Sequence, residues 1–238
     1  VLTSILPETS DSEFTWKDFQ ARVNNELVAI LGNFVNRVMV LSHKYFEGKV
    51  PALTNLNEKD KAAIEEMNQY PDKIAHLLDT YKFREALSEL MNLARLGNRY
   101  LTENEPWKQF KTDPERVKTV LAVSLQIVAK LAILSEPFLP FSAKKLQAMI
   151  GLEVSGWNQA KETVLLNEES QIGEVELLFT KVEDETVAAQ IKKLEDTKKQ
   201  NELNAWAPNP VKPNTNIDEF GKMDIRVGTV LECVKVPK

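Results

Sequence analysis

The sequence contains too little cysteine and histidine for the metal and nucleophile chemistry that these residues usually provide. Among 238 residues there are one cysteine, Cys233, and two histidines, His43 and His76, which lie far apart. A single cysteine cannot form an internal disulfide bond, and the chain has no CxxC motif or Cys/His cluster for zinc. We therefore expect no metal site and no catalytic residues here, and both histidines are interpreted as helix-surface or helix-packing residues.

Segments that direct a protein out of the cytoplasm are also missing. The first seven residues are too short and too uncharged for a secretory signal, and the apolar runs are far below the ~20 residues of a membrane span. No Asn-x-Ser/Thr glycosylation sequon occurs. These absences predict a cytoplasmic protein without membrane association.

The chain has no excess of positive charge and no nucleotide-binding or hydrolase motif. Its formal net charge is −5 at pH 7, which argues against a nonspecific nucleic-acid binder that depends on phosphate contacts. A protein that recognises a few unstacked bases remains compatible with this charge. Gly-rich phosphate loops and Gly-x-Ser-x-Gly elbows are absent, so nothing indicates a catalytic centre.

What is present is helical periodicity, which extends over residues 1–151. Thr15 followed by Asp18 resembles a capping box, and one long amphipathic helix is predicted from there to Gly48. Further helices are predicted at 57–68 (broken at Tyr70-Pro71), at two stretches within 72–104 separated near Thr80, from Asp113-Pro114 to just before Glu136, and at 142–150. This pattern predicts an all-α, antiparallel helix bundle.

The character of the sequence changes after Gly151. Residues 152–203 are predicted to be an extension of the bundle, with a small hairpin (164–169 and 175–182) and a charged helix (184–203). Residues 204–217, rich in proline and asparagine, are predicted to be a linker. Residues 218–238 alternate like strands, and we expect them to begin a truncated β domain with at most two strands.

Two pairs of residues are candidates for RNA recognition. Asn33 and Arg37 lie one turn apart on the first long helix, where an amide and a guanidinium could read base edges. From spacing alone, a surface pair that bonds to a neighbouring helix is the simpler interpretation. Pro106-Trp107 is predicted to lie in a loop, where the indole could stack on a base or could fold back to plug the end of the bundle.

Several motifs resemble the anticodon-binding domain of bacterial methionyl-tRNA synthetases, and the similarity runs with few gaps from Val1 to about Leu203. The motifs are LPET (6–9), FTWKDF (14–19), RVNNEL (22–27), GNFVNR (32–37), ARLGNRY (94–100), EPW (105–107) and LFTKVED (178–184). The resemblance implies the helix bundle of a class I synthetase and recognition of the tRNA(Met) anticodon. In that family an Asn-x-x-x-Arg element contacts the anticodon and the tryptophan after proline stacks on a base, which implies these roles for Asn33, Arg37 and Trp107, with Pro106 shaping the turn.

The tail carries a second resemblance. FGKMDIRVG (220–228) is similar to the first strand of the OB-fold tRNA-binding module that is appended to many of these enzymes. It implies that residues 218–238 begin a truncated OB domain, through which the parent enzyme would form a homodimer. The fragment itself is expected to be a monomer.

The chain departs from the whole enzyme in one respect. The His-Ile-Gly-His and Lys-Met-Ser-Lys-Ser motifs of the family do not occur, and the Lys222-Met223 pair is followed by aspartate. We therefore expect a fragment of methionine–tRNA ligase without its catalytic domain and without a cofactor. The ATP-dependent attachment of methionine to tRNA, and any zinc, would belong to the rest of the parent enzyme.

Two other interpretations stay open at this point. The chain could be the anticodon bundle of another class I synthetase, such as the cysteine or valine enzyme, although the Pro-Trp motif and the β segment argue against it. It could also be a helical scaffold without an RNA role. The scaffold requires Trp107 to be buried and Asn33 and Arg37 to be engaged inside the fold.

Overall fold

The computed structural model describes residues 1–8, 11–203, 213–214, 216–224 and 226–233, which separate into two compact units, Val1–Leu194 and Glu195–Lys238. The regular elements are a 3-10 turn Leu2–Ile5, α1 (Trp16–Arg22), a π-helical segment Val23–Gly32, α2 (Asn33–Phe46), α3 (Glu58–Asp79), α4 (Phe83–Asn104), α5 (Pro106–Gln109), α6 (Pro114–Leu134), α7 (Pro140–Ile150), a 3-10 turn Trp157–Lys161, α8 (Asp184–Leu203) and α9 (Ile217–Phe220). The first unit is all-α, as predicted for residues 1–151, and it also includes most of the predicted extension.

Helix α6 is the centre of this unit, and α2, α3, α4 and α7 pack against it. It begins where the sequence predicted, because the Asp113 carboxylate accepts a hydrogen bond from the Arg116 backbone N–H at 2.9 Å. By length and composition α6 could cross a membrane, although the sequence analysis predicted no membrane-spanning segment. However, 94% of its most apolar stretch of 18 residues is buried within the described structure, so it is the core helix of the bundle.

The predicted first long helix is formed, but its middle is wound differently from its ends. The Thr15 hydroxyl accepts a hydrogen bond from the Asp18 N–H at 3.1 Å and caps α1, as predicted. Residues Val23–Gly32 are then π-helical before α2 resumes the α-helical turn. A Cβ on Gly32 would lie 3.1 Å from the Leu27 carbonyl oxygen, so glycine permits the close packing at the end of the wide segment.

The predicted break at Tyr70-Pro71 is wrong, because α3 runs through it from Glu58 to Asp79. Proline costs a helix one backbone hydrogen bond. Here Tyr70 and Pro71 are both buried, and the Pro71 carbonyl accepts a hydrogen bond from the Trp157 indole at 3.3 Å. Packing along α4 thus outweighs the local signal. The break near Thr80 is confirmed, since α3 and α4 are separate helices.

The predicted hairpin in the extension is also wrong, since no strand forms between residues 164 and 182. The Gln126 side chain of α6 accepts hydrogen bonds from the N–H groups of Leu165 and Leu166 and donates one to the Leu166 carbonyl. Asn24 pairs in the same two-way manner with the backbone of Val182. Side chains of the bundle thus occupy the backbone groups that a hairpin would have paired.

The predicted helix at 184–203 is confirmed as α8. The predicted linker lies mostly outside the described residues, at 204–212 and 215. Asn216 caps the short helix α9, and no strand occurs within 216–224 and 226–233. The β segment predicted for residues 218–238 is therefore not seen in the described tail. Two strands without a partner sheet bury too little apolar surface to be stable.

Candidate nucleic-acid interface

Arg37 of α2 and Trp107 of α5 meet at one end of the bundle. The Arg37 guanidinium carbon lies 4.8 Å from the centroid of the Trp107 ring, which is the geometry of a cation–π contact. Trp107 is 38% exposed. The indole therefore does not plug the end of the bundle, and part of its surface is available to a ligand.

Asn33 lies one helical turn before Arg37 and is exposed, whereas Arg37 is half-buried. Neither side chain forms a hydrogen bond or an ion pair with another residue of the described part of the chain. The sequence-based alternative, in which the pair bonds to a neighbouring helix, is thus not what the fold shows. An unpaired amide and guanidinium on one face can donate hydrogen bonds to base edges.

The turn that carries Trp107 is shaped by Glu105 and Pro106. Trp107 was predicted to lie in a loop, and it lies instead in the single helical turn α5 between α4 and α6. Glu105 ends α4 in the left-handed region at φ 38°, and Pro106, which is buried, is the first residue of α5. A proline at this position matches the backbone angle that a helix start requires.

Aromatic packing fixes the other end of this turn against α2. The Phe110 ring stacks on the Tyr45 ring with centroids 4.0 Å apart and meets the Phe46 ring edge-on at 6.1 Å. Sequence reasoning missed Phe110 as a supporting residue. Its partners are more than 60 positions earlier in the chain, so no local pattern could have identified the contact.

The face of α2 that holds Asn33 and Arg37 continues for two more turns. Val40 on this face is 43% exposed, and the Lys44 ammonium lies 5.4 Å from the centroid of the Tyr45 ring. Helical spacing from Asn33 would have found both residues. The surroundings are mixed in charge, because Lys108 pairs with Glu105 and Lys118 with Glu115. The surface is therefore suited to specific contacts rather than to a general attraction for phosphate.

A buried charged network lies beside this surface. Arg116 donates hydrogen bonds to both carboxylate oxygens of Asp60 and to the Asn104 side-chain oxygen, and the Tyr100 hydroxyl donates to Asp60 at 2.6 Å. Burial alone would raise the pKa of Asp60, but the hydrogen bonds from Arg116 and Tyr100 outweigh it and hold the pKa below its usual value. The carboxylate is therefore charged at neutral pH.

Within the described residues, no group of three or more His, Cys, Asp or Glu side chains is placed to hold a metal ion.

Comparison with known proteins shows the family to which the chain belongs. A sequence model described as the anticodon binding domain of methionyl tRNA ligase matches residues 50–199, and one described as tRNA synthetases class I (M) matches residues 1–39. The chain is 56% identical over 238 residues to methionine–tRNA ligases of Parabacteroides distasonis and Phocaeicola vulgatus. Those alignments include 100% of this chain and 35% of each relative, so the chain spans about a third of their length.

Solved structures of similar fold include the apo form of Mycobacterium tuberculosis methionyl-tRNA synthetase. It has a TM-score of 0.70 and 22% sequence identity, and the match covers 76% of this chain and 38% of that chain. The same synthetase in complex with methionyl-adenylate has a TM-score of 0.70 at 22% identity over 75% of this chain and 36% of that chain. At this identity the likeness is one of fold.

Proposed function

We propose that Trp107, together with Asn33 and Arg37, recognises the methionine anticodon, CAU. The chain belongs to the family described as the anticodon-binding domain of methionyl tRNA ligase, whose matched residues 50–199 include Trp107. The observation that carries the proposal is the contact between Arg37 and the partly exposed Trp107 ring, 4.8 Å from the guanidinium carbon to the ring centroid. The two groups are close enough to act on a single nucleotide.

The three side chains would have different roles. The exposed part of the Trp107 indole offers a flat surface for an unstacked base, and stacking of this kind depends little on base identity. Asn33 and Arg37 offer hydrogen-bond donors for a base edge, which does depend on identity. Arg37 also lies against the indole and would keep the ring in place before RNA arrives.

The activity of the whole protein is a further part of the proposal. The relatives are methionine–tRNA ligases, so we assign to the parent protein the ATP-dependent attachment of methionine to tRNA(Met) in the cytoplasm. The His-Ile-Gly-His and Lys-Met-Ser-Lys-Ser motifs of the family do not occur in the 238 residues. ATP binding, and zinc binding where it occurs, would therefore reside in other parts of that protein.

We also assign residues 218–238 to the start of a tRNA-binding OB module, through which the parent would form a homodimer. This rests on the motif FGKMDIRVG at 220–228 and on the relatives of 56% identity, whose alignments include the whole chain. Residues 204–217 would be the linker that joins this module to the helical domain.

The test is binding of the chain to an anticodon stem-loop that carries CAU, measured for Trp107→Ala and for a matched control. Phe141→Ala is the control, because Phe141 is an aromatic residue in another helix, α7, and is 88% exposed. Loss of the stacking surface should weaken binding by a factor of about five or more. The melting temperature of Trp107→Ala should fall only modestly, because the ring is partly exposed, and binding is measured below it. Phe141→Ala should bind like the unsubstituted chain.

Three results would contradict the proposal. Equal binding by Trp107→Ala and the unsubstituted chain would show that the indole is an ordinary surface residue. Equal binding of stem-loops with CAU and with an altered anticodon would remove the specificity. Absence of any binding by the chain would favour the helical scaffold without an RNA role.

A further inference from the structure

The segment that carries Trp107 is tied together at its two ends by side chains. It leaves α4 after Asn104 and enters α6 at Pro114. The Asn104 side-chain oxygen accepts a hydrogen bond from Arg116 Nη2 at 2.7 Å, so the two helices that flank the segment are joined directly at its ends. Asn104 is itself fixed, because its amide donates to the Tyr100 carbonyl at 2.8 Å.

Both ends are also anchored to a third helix through Asp60. The guanidinium of Arg116 binds the two carboxylate oxygens of Asp60 in a fork, and the Tyr100 hydroxyl donates to one of them. Asp60 is fully buried, and it also caps α3 through a hydrogen bond from the Asn57 N–H. The network therefore joins the start of α3, the end of α4 and the start of α6 at one point.

A buried ion pair of this kind contributes little net stability compared with apolar residues of the same size, because removing two charges from water is costly. What a two-pronged Arg–carboxylate contact provides is direction, since the planar guanidinium accepts one orientation of its partner. The start of α6 is marked by Asp113, whose carboxylate accepts a hydrogen bond from the Arg116 backbone N–H. The Arg116 side chain then sets how far this start lies from Asn104.

We propose that Asp60 and Arg116 are positioning residues for RNA recognition: together with Asn104 they hold the 105–113 segment so that the Trp107 indole lies against Arg37. They would raise the affinity for the anticodon without touching RNA. This inference rests on the proposed function, in which Trp107 stacks on an anticodon base. The positioning acts through Trp107 alone, and that property separates it from a general contribution to stability.

The experiment combines two variants of the network with Trp107→Ala. Arg116→Lys keeps the charge but loses the fork, and Asn104→Ala removes the bond between the two ends while Asp60 and Arg116 stay paired. Arg99→Lys is the matched control, because Arg99 also joins α4 to α3, through Glu66, but that pair is exposed and lies outside the network. Binding to a CAU anticodon stem-loop is measured below the melting temperature of every variant.

We expect Arg116→Lys and Asn104→Ala to weaken binding by a factor of about three to ten, and Arg99→Lys to have no effect. In the Trp107→Ala background the same substitutions should cause no further loss. As a direct readout, fluorine NMR of the chain labelled with 5-fluorotryptophan should show the Trp107 signal shifted or broadened in both network variants. The signals of Trp16 and Trp157 should stay in place.

Every other outcome contradicts either the positioning role of Asp60 and Arg116 or the proposed function of Trp107. If Trp107→Ala binds the stem-loop normally, the proposed function fails. If Trp107→Ala is impaired but both network variants bind normally, the positioning role is wrong. A loss that persists in the Trp107→Ala background would show a general structural effect. Should Arg116→Lys fail to fold, Asn104→Ala decides the question by the same criteria.

Discussion

Two irregular segments of the helical domain are held in place by buried polar side chains, but in different ways. In the 105–113 connection, Asp60, Asn104 and Arg116 bind one another across the two ends of the segment. In the 152–183 extension, Gln126 and Lys130 of α6 bind backbone groups along the segment itself. In the connection these bonds join the two ends, and Phe110 packs against α2 between them; in the extension the bonds hold the backbone of the interior.

The difference matches what each segment presents to solvent. In the extension, Leu166, whose backbone is bound by Gln126 of α6, and Ile172, whose N–H donates to the Gly48 carbonyl, are buried in the core and cover the bundle. The connection is closed at its ends, so its middle turn projects outward and Trp107 stays partly exposed in a defined place. In the proposed function, the placement of Trp107 depends on the closed ends of its short segment, whereas the extension covers the bundle through its bound backbone.

The strongest test of this comparison is Gln126→Leu. The substitution leaves two N–H groups and one carbonyl of residues 165–166 without their partner, which should lower the free energy of unfolding by about 3 kcal/mol. RNA binding at low temperature should be unchanged, because the extension does not carry Trp107. Urea unfolding and stem-loop binding measure the two effects separately.

Gln147→Leu is the control for this prediction, since the Gln147 amide has a single partner, the Ala132 carbonyl. Its cost should be about 1 kcal/mol. If Gln126→Leu weakens RNA binding as strongly as Trp107→Ala does, the extension also affects RNA binding. The separate roles of the connection and the extension are then wrong.

Arg37→Ala tests the 105–113 connection, because Arg37 contacts the Trp107 ring that this connection carries. Loss of the guanidinium should reduce stem-loop affinity by about 1–2 kcal/mol and should narrow the difference between CAU and an altered anticodon. Arg84→Ala is the matched control. Arg84 is exposed at the opposite end of α4 from Asn104, about 30 Å away along the helix. If Arg37→Ala still distinguishes CAU from an altered anticodon as well as the unsubstituted chain does, Arg37 does not read a base edge as proposed.

The smallest expected effect concerns the pH dependence of stability. Lys130 is buried and donates to the carbonyls of Ala160 and Glu162, and burial lowers its pKa to about 8. The unfolded chain then binds more protons than the folded chain between pH 8 and the ordinary lysine value, so stability should rise with pH in that range. We expect a gain of about 1 kcal/mol between pH 8 and pH 9.

Urea titrations of the chain and of Lys130→Met at several pH values check this prediction. Lys130→Met should not show this gain in the free energy of unfolding. If stability rises equally with pH in both proteins, the gain comes from groups other than Lys130. The range must stop near pH 10, because burial raises the pKa of Tyr100 and raises that of Tyr70 to about 12. Above the ordinary tyrosine value, ionisation of the unfolded chain therefore lowers stability again.

The helices were predictable wherever a local signal and the packing agree. The side chains of Thr15 and Asp113 begin their helices as predicted, because a cap depends on atoms only three residues away. The predictions of a helix break at Pro71 and of a hairpin at 164–182 were wrong. A buried helix can include a proline when its neighbours pack well, and the partner of Leu166 is Gln126 rather than another strand.

The candidate site divides in the same way. The sequence nominated Asn33, Arg37, Pro106 and Trp107 by helical spacing and by family resemblance, and the roles of these residues in RNA binding remain predictions. The sequence did not reveal Phe110 against Tyr45, or Arg116 between Asp60 and Asn104. Those contacts join positions that are far apart in the chain.

By itself, the sequence determined the family, the all-α class of the domain, most helix ends and the residues nominated for RNA recognition. These follow from caps, periodicity and motifs, which act within a few residues. The tertiary structure alone decided that Arg37 lies against Trp107, that the segment carrying Trp107 is closed by the bond between Arg116 and Asn104, and that the extension forms no strands. Each of these depends on which distant groups satisfy buried charges and backbone hydrogen bonds, and that is settled only when the helices pack.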